Sequence, residues 1–165
     1  MMSRRNTLIG VGSVAAALAG LRSLFTTAPA EAKTAHAWLV TRTDAEWKKL
    51  LPADAYRVLR HAGTEAPSTS PLNKEKRAGT YACAGCALPL FASNTKFESG
   101  TGWPSFWQAM DKAVVEESDT TLFMKRVEVL CSSCGGHLGH VFDDGPKPTG
   151  LRYCMNGVAL NFKAA

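Results

Sequence analysis

Five cysteines stand in a chain of 165 residues, and their spacing divides them into two kinds. Cys83-Ala84-Gly85-Cys86 and Cys131-Ser132-Ser133-Cys134 are C-x-x-C units, each a short turn that aims two sulfurs at one point. Two such turns supply the four thiolates of a tetrahedral Zn²⁺ site, closed to water and therefore structural rather than catalytic. Gly85 and Gly135 are the residues expected to relax the backbone so that amides approach the sulfurs. A pair of disulfides is the alternative. A bridge inside C-x-x-C is strained and reducible, whereas one between the units is less so, and spacing alone leaves cross-linking open. Thiol-disulfide exchange through Cys83 and Cys86 is a further reading of the same residues.

Cys154 is the odd sulfur. It lies in Arg152-Tyr153-Cys154-Met155-Asn156, and on a strand Arg152 and Asn156 share its face. Polar neighbours on both sides are not a burial pattern, and a guanidinium beside a thiol favours the nucleophilic thiolate. His137 and His140 are three residues apart, a spacing that with nearby Cys suits a Cys/His metal site, but four Cys already satisfy the metal. His137 is read as a structural residue. A Cys-His hydrolase built on Cys154 and His140 lacks an evident orienting residue and oxyanion motif. Trp103, between Gly102 and Pro104, taken alone reads as a core aromatic on a turn. Trp38, Trp47 and Trp107 read as packing, His36 and His61 as surface residues, and Met110, Met124 and Met155 as core fillers or oxidisable side chains.

The elements that must position these groups follow from periodicity. From Thr43 to about Ala62 the pattern is helical, with Asp44 as N-cap, Trp47, Leu50 and Leu51 on one face, Pro52 opening a second run, and Gly63 closing it. Residues 64–79 read as a loop. Short strands are expected around Tyr81–Cys83, Leu90–Ala92, Val114–Glu116, Leu122–Val129, His140–Phe142 and Cys154–Phe162, with a bulge or a two-sided strand in the fourth. The expected architecture is one mainly β domain with antiparallel strands, prefaced by short helices and stapled by the metal.

The N-terminus reads as an address. Arg4 and Arg5 precede a charge-free stretch from Asn6 to Leu21, and Ala28-Pro29-Ala30 follows, the order of an export signal. Ser3-Arg4-Arg5-Asn6-Thr7-Leu8 is similar to the bacterial twin-arginine signal, with Thr7 where an aromatic usually stands. Residues 1–32 are thus expected to be removed, by cleavage after Ala30 or Ala32, leaving 33–165 as a single domain in the periplasm. A retained membrane anchor is the alternative. The formal charge of +5 falls to +2 once Arg4, Arg5 and Arg22 are set aside, too little for a nucleic-acid surface. No membrane partner is expected after signal removal.

Three longer motifs then carry a resemblance: Gly100-Thr101-Gly102-Trp103-Pro104-Ser105-Phe106, Gly136-His137-Leu138-Gly139-His140-Val141-Phe142, and Arg152-Tyr153-Cys154-Met155-Asn156-Gly157. In this order, and in register with both C-x-x-C units, they resemble the methionine-R-sulfoxide reductases, the MsrB family, from about Thr43 to Phe162. The resemblance implies two small antiparallel sheets, one structural zinc on Cys83, Cys86, Cys131 and Cys134, and reduction of the R epimer of methionine sulfoxide in oxidised proteins. It places the nucleophile on Cys154 and the substrate-site His, Asn and Trp on His140, Asn156 and Trp103. Arg152 is added here as the residue that depresses the thiol pKa and faces substrate. Partners implied are oxidised proteins and a thioredoxin-like or other thiol donor, for a monomeric enzyme.

Two positions depart from the family pattern. Many relatives carry a second redox Cys where this chain has Thr101, and a His where it has Leu122. A hydroxyl cannot resolve a sulfenic acid, so an external thiol is expected to do so. The rival from another class is a zinc-stabilised binding module in which Cys154 is incidental.

Overall fold

The computed structural model describes residues 36–120 and 126–165. The first helix, α1 (Asp44–Leu50), starts at a capping box: the Thr43 hydroxyl accepts from the Glu46 amide, and the Glu46 carboxylate accepts from the Thr43 amide at 2.7 Å. Thr43 therefore takes the cap expected of Asp44, because only Thr43 has a glutamate three residues on to return the bond. Asp44 instead accepts the Tyr56 hydroxyl at 2.6 Å and ties α1 to α2 (Ala53–His61). Helix α2 ends on Ala62 in the left-handed region (φ 48°), not on Gly63. Gly63 lies close against Arg57, where a Cβ would stand 3.0 Å from the carbonyl oxygen.

Among the described residues nine strands follow in order: β1 (Gly79–Cys83), β2 (Pro89–Ala92), β3 (Lys96–Phe97), β4 (Ser105–Phe106), β5 (Val114–Asp119), β6 (Arg126–Cys131), β7 (His137–Phe142), β8 (Arg152–Met155) and β9 (Leu160–Ala164). They form two antiparallel sheets, β2-β1-β9 and β3-β4-β8-β7-β6-β5. The stretch expected as one strand from Cys154 to Phe162 is two, β8 and β9, which a short turn at Gly157–Ala159 sends into different sheets. Of the strand expected over Leu122–Val129, residues 122–125, with Leu122 and Met124, lie outside the described residues; the rest is β6, which runs on to Cys131. The export signal also lies outside them.

The sheets meet through aromatic rings. Tyr81 of β1 and Phe91 of β2 pack on Phe106 of β4 and Tyr153 of β8, with Phe91 stacked on Phe106 at 4.4 Å and Tyr81 edge-on to it at 4.8 Å. Ring pairs in these geometries add to the burial energy of their area. Strand β8 shows the consequence for function. Tyr153 and Met155 are buried in this core, so the period-2 alternation turns Arg152 and Cys154 to the other face. Met155 fills the core as expected, whereas Met110 is exposed. Helix α2 packs Val58 and Leu59, both buried, on the side of β7 and the C-x-x-C turns.

Candidate active site

Cys154 sits in the middle of a cross-strand row. It stands directly opposite Ser105 of β4 on one side and His140 of β7 on the other, and His140 is opposite Glu128 of β6. Directly paired residues of an antiparallel ladder hold their Cβ atoms about 5 Å apart. A register shift between Val129 and Leu130 marks a bulge, so His137 and His140, which a regular strand would turn to opposite faces, bring their rings within 5.4 Å. Gly139 between them is required by contact, because a Cβ there would stand 2.1 Å from the Cys154 carbonyl oxygen.

A cavity of about 150 Å³ opens on this row, lined by Thr64, Trp103, Arg126, Gly139, His140, Phe142, Cys154 and Asn156. Four of the five residues singled out for the site therefore meet in one cavity. Arg152 lies beside it, its guanidinium 4.4 Å over the Phe142 ring and held in a two-pronged pair by Asp144 at 2.7 and 2.9 Å. Asn156 is buried, and its amide is a brace: the oxygen accepts from the Glu65 amide at 2.9 Å and the nitrogen donates to the Leu138 carbonyl at 3.1 Å.

Electrostatics at the thiol run against the expectation from Arg152 alone. Burial pushes the Cys154 pKa up, and the Thr101 hydroxyl, the Arg152 charge and the Ser105 hydroxyl offset it only in part. The resting group is a thiol. Thr101 Oγ1 lies 3.8 Å from Cys154 Sγ, and Ser99 joins the hydroxyls of Thr101 (2.9 Å) and Ser105 (2.7 Å). His140 is likewise held uncharged: burial lowers its pKa, against the raising effect of a 2.9 Å bond from Nε2 to Asp119. Asp119 also pairs with Arg126 at 2.6 Å. With Nε2 donating to Asp119, Nδ1 is the ring atom able to take a proton. His137 is bound to Glu128 at 2.6 Å and holds that carboxyl below its usual range.

These directions set a pH dependence. Alkylation of Cys154 by iodoacetamide should rise with pH and reach half its plateau rate above pH 9.0, the ordinary thiol value. Thr101→Val removes a group that lowers the pKa, so the profile should move to still higher pH. A plateau already reached at neutral pH would contradict the assignment.

Glu65 and Asp119 are site-building residues that the sequence does not flag. The Glu65 carboxylate accepts from the Gly157 and Val158 amides, the latter at 3.1 Å, while its carbonyl accepts the Trp103 indole N–H at 3.2 Å. One residue thus anchors Trp103, Asn156 and the turn after β8. Its partners lie up to 93 positions away, so no local pattern could have marked it.

Apart from this cavity, the four C-x-x-C sulfurs gather within 4.8 Å of one another. Two of the pairs join the units, Cys83 to Cys134 at 3.7 Å and Cys86 to Cys131 at 3.5 Å. A tetrahedral ion with bonds of about 2.3 Å to sulfur needs sulfurs about 3.8 Å apart, so the set fits a metal ion, and no sulfur pair is bonded. Each unit closes with a residue in the left-handed region donating to the first cysteine's carbonyl: Gly135 to Cys131 at 2.9 Å and Ala87 to Cys83 at 2.8 Å. In the first unit the closing residue is Ala87, while the Gly85 amide approaches the Cys83 sulfur at 3.4 Å, as expected. Gly135 also has no room for a side chain, as a Cβ would stand 2.6 Å from Trp38.

A half-buried thiol opposite a histidine, in an aromatic-walled cavity separate from a four-sulfur clamp, defines a thiol-dependent site on an antiparallel β scaffold. Comparison with known proteins narrows the class. Residues 51–164 match the SelR domain family. The chain is 55% identical over 125 residues to the peptide methionine sulfoxide reductase MsrB of Methanosarcina barkeri, covering 75% of this chain and 88% of that protein. It is 54% identical to the protein of that name from Leptospira interrogans (75% and 95% covered) and 56% identical to that from Pseudomonas putida (75% and 94%). The chain belongs to the MsrB family.

Proposed function

We propose that this protein reduces the R epimer of methionine sulfoxide in oxidised proteins to methionine, with Cys154 as the nucleophile. The observation that carries the reading is Cys154 in direct cross-strand register with His140, both lining the cavity walled by Trp103 and Phe142. A sulfoxide presents a methyl group and a polar S–O bond, so its site needs an apolar wall beside a proton donor. Trp103 and Phe142 supply the wall. His140 takes the Cys154 proton, and the thiolate attacks the sulfoxide sulfur. The attack forms a bond between the two sulfurs, and His140 returns the proton to the oxygen; the hydroxyl then passes to the Cys154 sulfur as that S–S bond and the substrate S–O bond both break. Methionine leaves reduced by two electrons, and Cys154 is left as a sulfenic acid oxidised by two.

Arg152 and Asn156 act in this scheme by position. Arg152, fixed by Asp144, lowers the cost of the thiolate as it forms. Asn156 holds the turn after β8 against Glu65. The four-sulfur set, all soft donors at tetrahedral spacing, supports zinc as the metal on Cys83, Cys86, Cys131 and Cys134. Zinc there supplies no reaction step; it joins the β1–β2 turn to the β6–β7 turn and so sets where β7 presents His140.

Regeneration falls to an external thiol. Thr101 stands 3.8 Å from the Cys154 sulfur, where its hydroxyl cannot resolve a sulfenic acid, and the other four cysteines gather in the metal cluster. A first donor thiol displaces the oxygen as water to form a mixed disulfide, and a second releases Cys154 as thiol. After one equivalent of sulfoxide peptide without reductant, the intact mass should rise by one oxygen; a loss of two protons would mean an internal disulfide. Turnover of separated R and S epimers with dithiothreitol tests the reading itself, since only the R epimer should be consumed. The twin-arginine-like N-terminus supports action in a bacterial periplasm, which cell fractionation checks; sedimentation checks the expected monomer.

A further inference from the structure

Trp103 lines two cavities: that of Cys154, and a second of about 380 Å³ whose lining includes Lys74, Lys76, Lys96 and Glu98. This second cavity is built. Lys96 is held in its wall, with a side chain 7% exposed, donating to the Asn73 carbonyl at 2.9 Å and standing 3.8 Å from Glu98. Asn73 in turn donates to the Gly102 carbonyl at 2.9 Å, which also accepts from the Ser68 amide at 2.7 Å. Gly102 has no room for a side chain, because a Cβ would stand 2.8 Å from Pro67. The segment carrying Trp103 is therefore pinned between the two cavities. Lys74 and Lys76 are exposed on the rim, and no ion pair among the described residues takes either of them. The neighbouring Glu75 is spent on Arg77 at 2.6 Å.

We infer that this lysine-lined cavity receives acidic residues flanking the oxidised methionine of a polypeptide substrate. The inference rests on the reading of Cys154 as the sulfoxide-reducing group. A sulfoxide side chain against Cys154 leaves its own backbone at the cavity mouth, and each further residue of extended chain reaches about 3.3 Å, so the next few residues cross the Trp103 rim. Three ammonium groups against one carboxylate make that side favourable to carboxylates. The effect is modest per charge because the rim pairs are hydrated, and it is lost in salt.

The test uses the full chain with its metal, dithiothreitol as reductant, and peptides carrying methionine R-sulfoxide flanked on both sides by aspartates or by asparagines. At low ionic strength the aspartate peptide should be used with kcat/KM about fivefold higher, and the double variant Lys74→Glu/Lys76→Glu should erase or invert that ratio. Free methionine sulfoxide, which does not reach the rim, should be reduced equally by both proteins. Equal use of the two peptides by the wild type, or a preference that survives in the variant, overturns the inference. So does a variant that slows turnover only when a carboxylate-bearing thiol replaces dithiothreitol, since the cavity would then serve the reductant. Failure of the wild type to reduce any sulfoxide peptide would instead overturn the proposed function.

Discussion

Cys154→Ser should abolish sulfoxide reduction, with kcat/KM falling by at least about 10⁴-fold, while the protein keeps its fold and its metal. The size follows from the role proposed for the residue. Removal of a covalent nucleophile takes away a reaction path, and a hydroxyl in the same place cannot take over the oxygen. The fold should be indifferent because Cys154 projects from the face of β8 opposite the aromatic core, where Tyr153 and Met155 are buried. Steady-state turnover of an R-sulfoxide peptide, with circular dichroism and metal content on the same sample, separates the two effects. Retention of full activity would sink the enzymatic assignment and favour a binding module in which this thiol is a bystander. Loss of activity together with loss of fold would show that the thiol serves packing.

The second large effect concerns the other four sulfurs. Cys131→Ser, or removal of the metal by a chelator, should unfold the domain at temperatures where the holoprotein is folded. Metal binding by such sets is worth on the order of 10 kcal/mol in small domains, comparable with the whole stability of a protein this size. Here the cluster joins β1 to the start of β7, and Cys83, Cys131 and Cys134 are buried, so an empty set loses the metal bonds that hold the two turns together. A thermal melt with and without chelator, read beside a colorimetric count of released metal, checks this. One equivalent of metal per chain should leave as the helical and sheet signals are lost. An apoprotein that melts at the same temperature as the holoprotein would refute a structural role for the cluster.

The two experiments should divide the cysteines by consequence: one for chemistry without fold, four for fold without chemistry. The aromatic core connects them. Phe106 of β4, packed between Tyr81 and Phe91, sets the position of Ser105 beside Cys154, so the small sheet supports the reactive row from behind.

Much of this was legible in the linear order of residues because the relevant signals are local. A C-x-x-C turn advertises its chemistry within four residues, and its doubling makes a metal site of it wherever the turns meet. The leftover sulfur in Arg152-Tyr153-Cys154-Met155-Asn156 was marked by its polar neighbours on the strand. The helical stretch after Thr43 was marked by its apolar spacing, and most strands by alternation. The family's motifs, each several residues long, marked Trp103, His140 and Asn156.

What only the tertiary structure decided depends on pairings between distant residues. The direction of the Cys154 pKa is one: Arg152 was expected to depress it, but Asp144 shares that guanidinium and burial by the surrounding strands outweighs it. The alignment of His137 with His140 is another, since it arises from a bulge visible only when β6 and β7 are in register. Glu65 and Asp119 belong here too, as does the lysine-lined cavity, whose walls come from two separate stretches of chain. Residue types and spacing determine which atoms are available for a reaction. Protonation states and pocket walls depend on dielectric and distance, and those exist only once the strands have closed on one another.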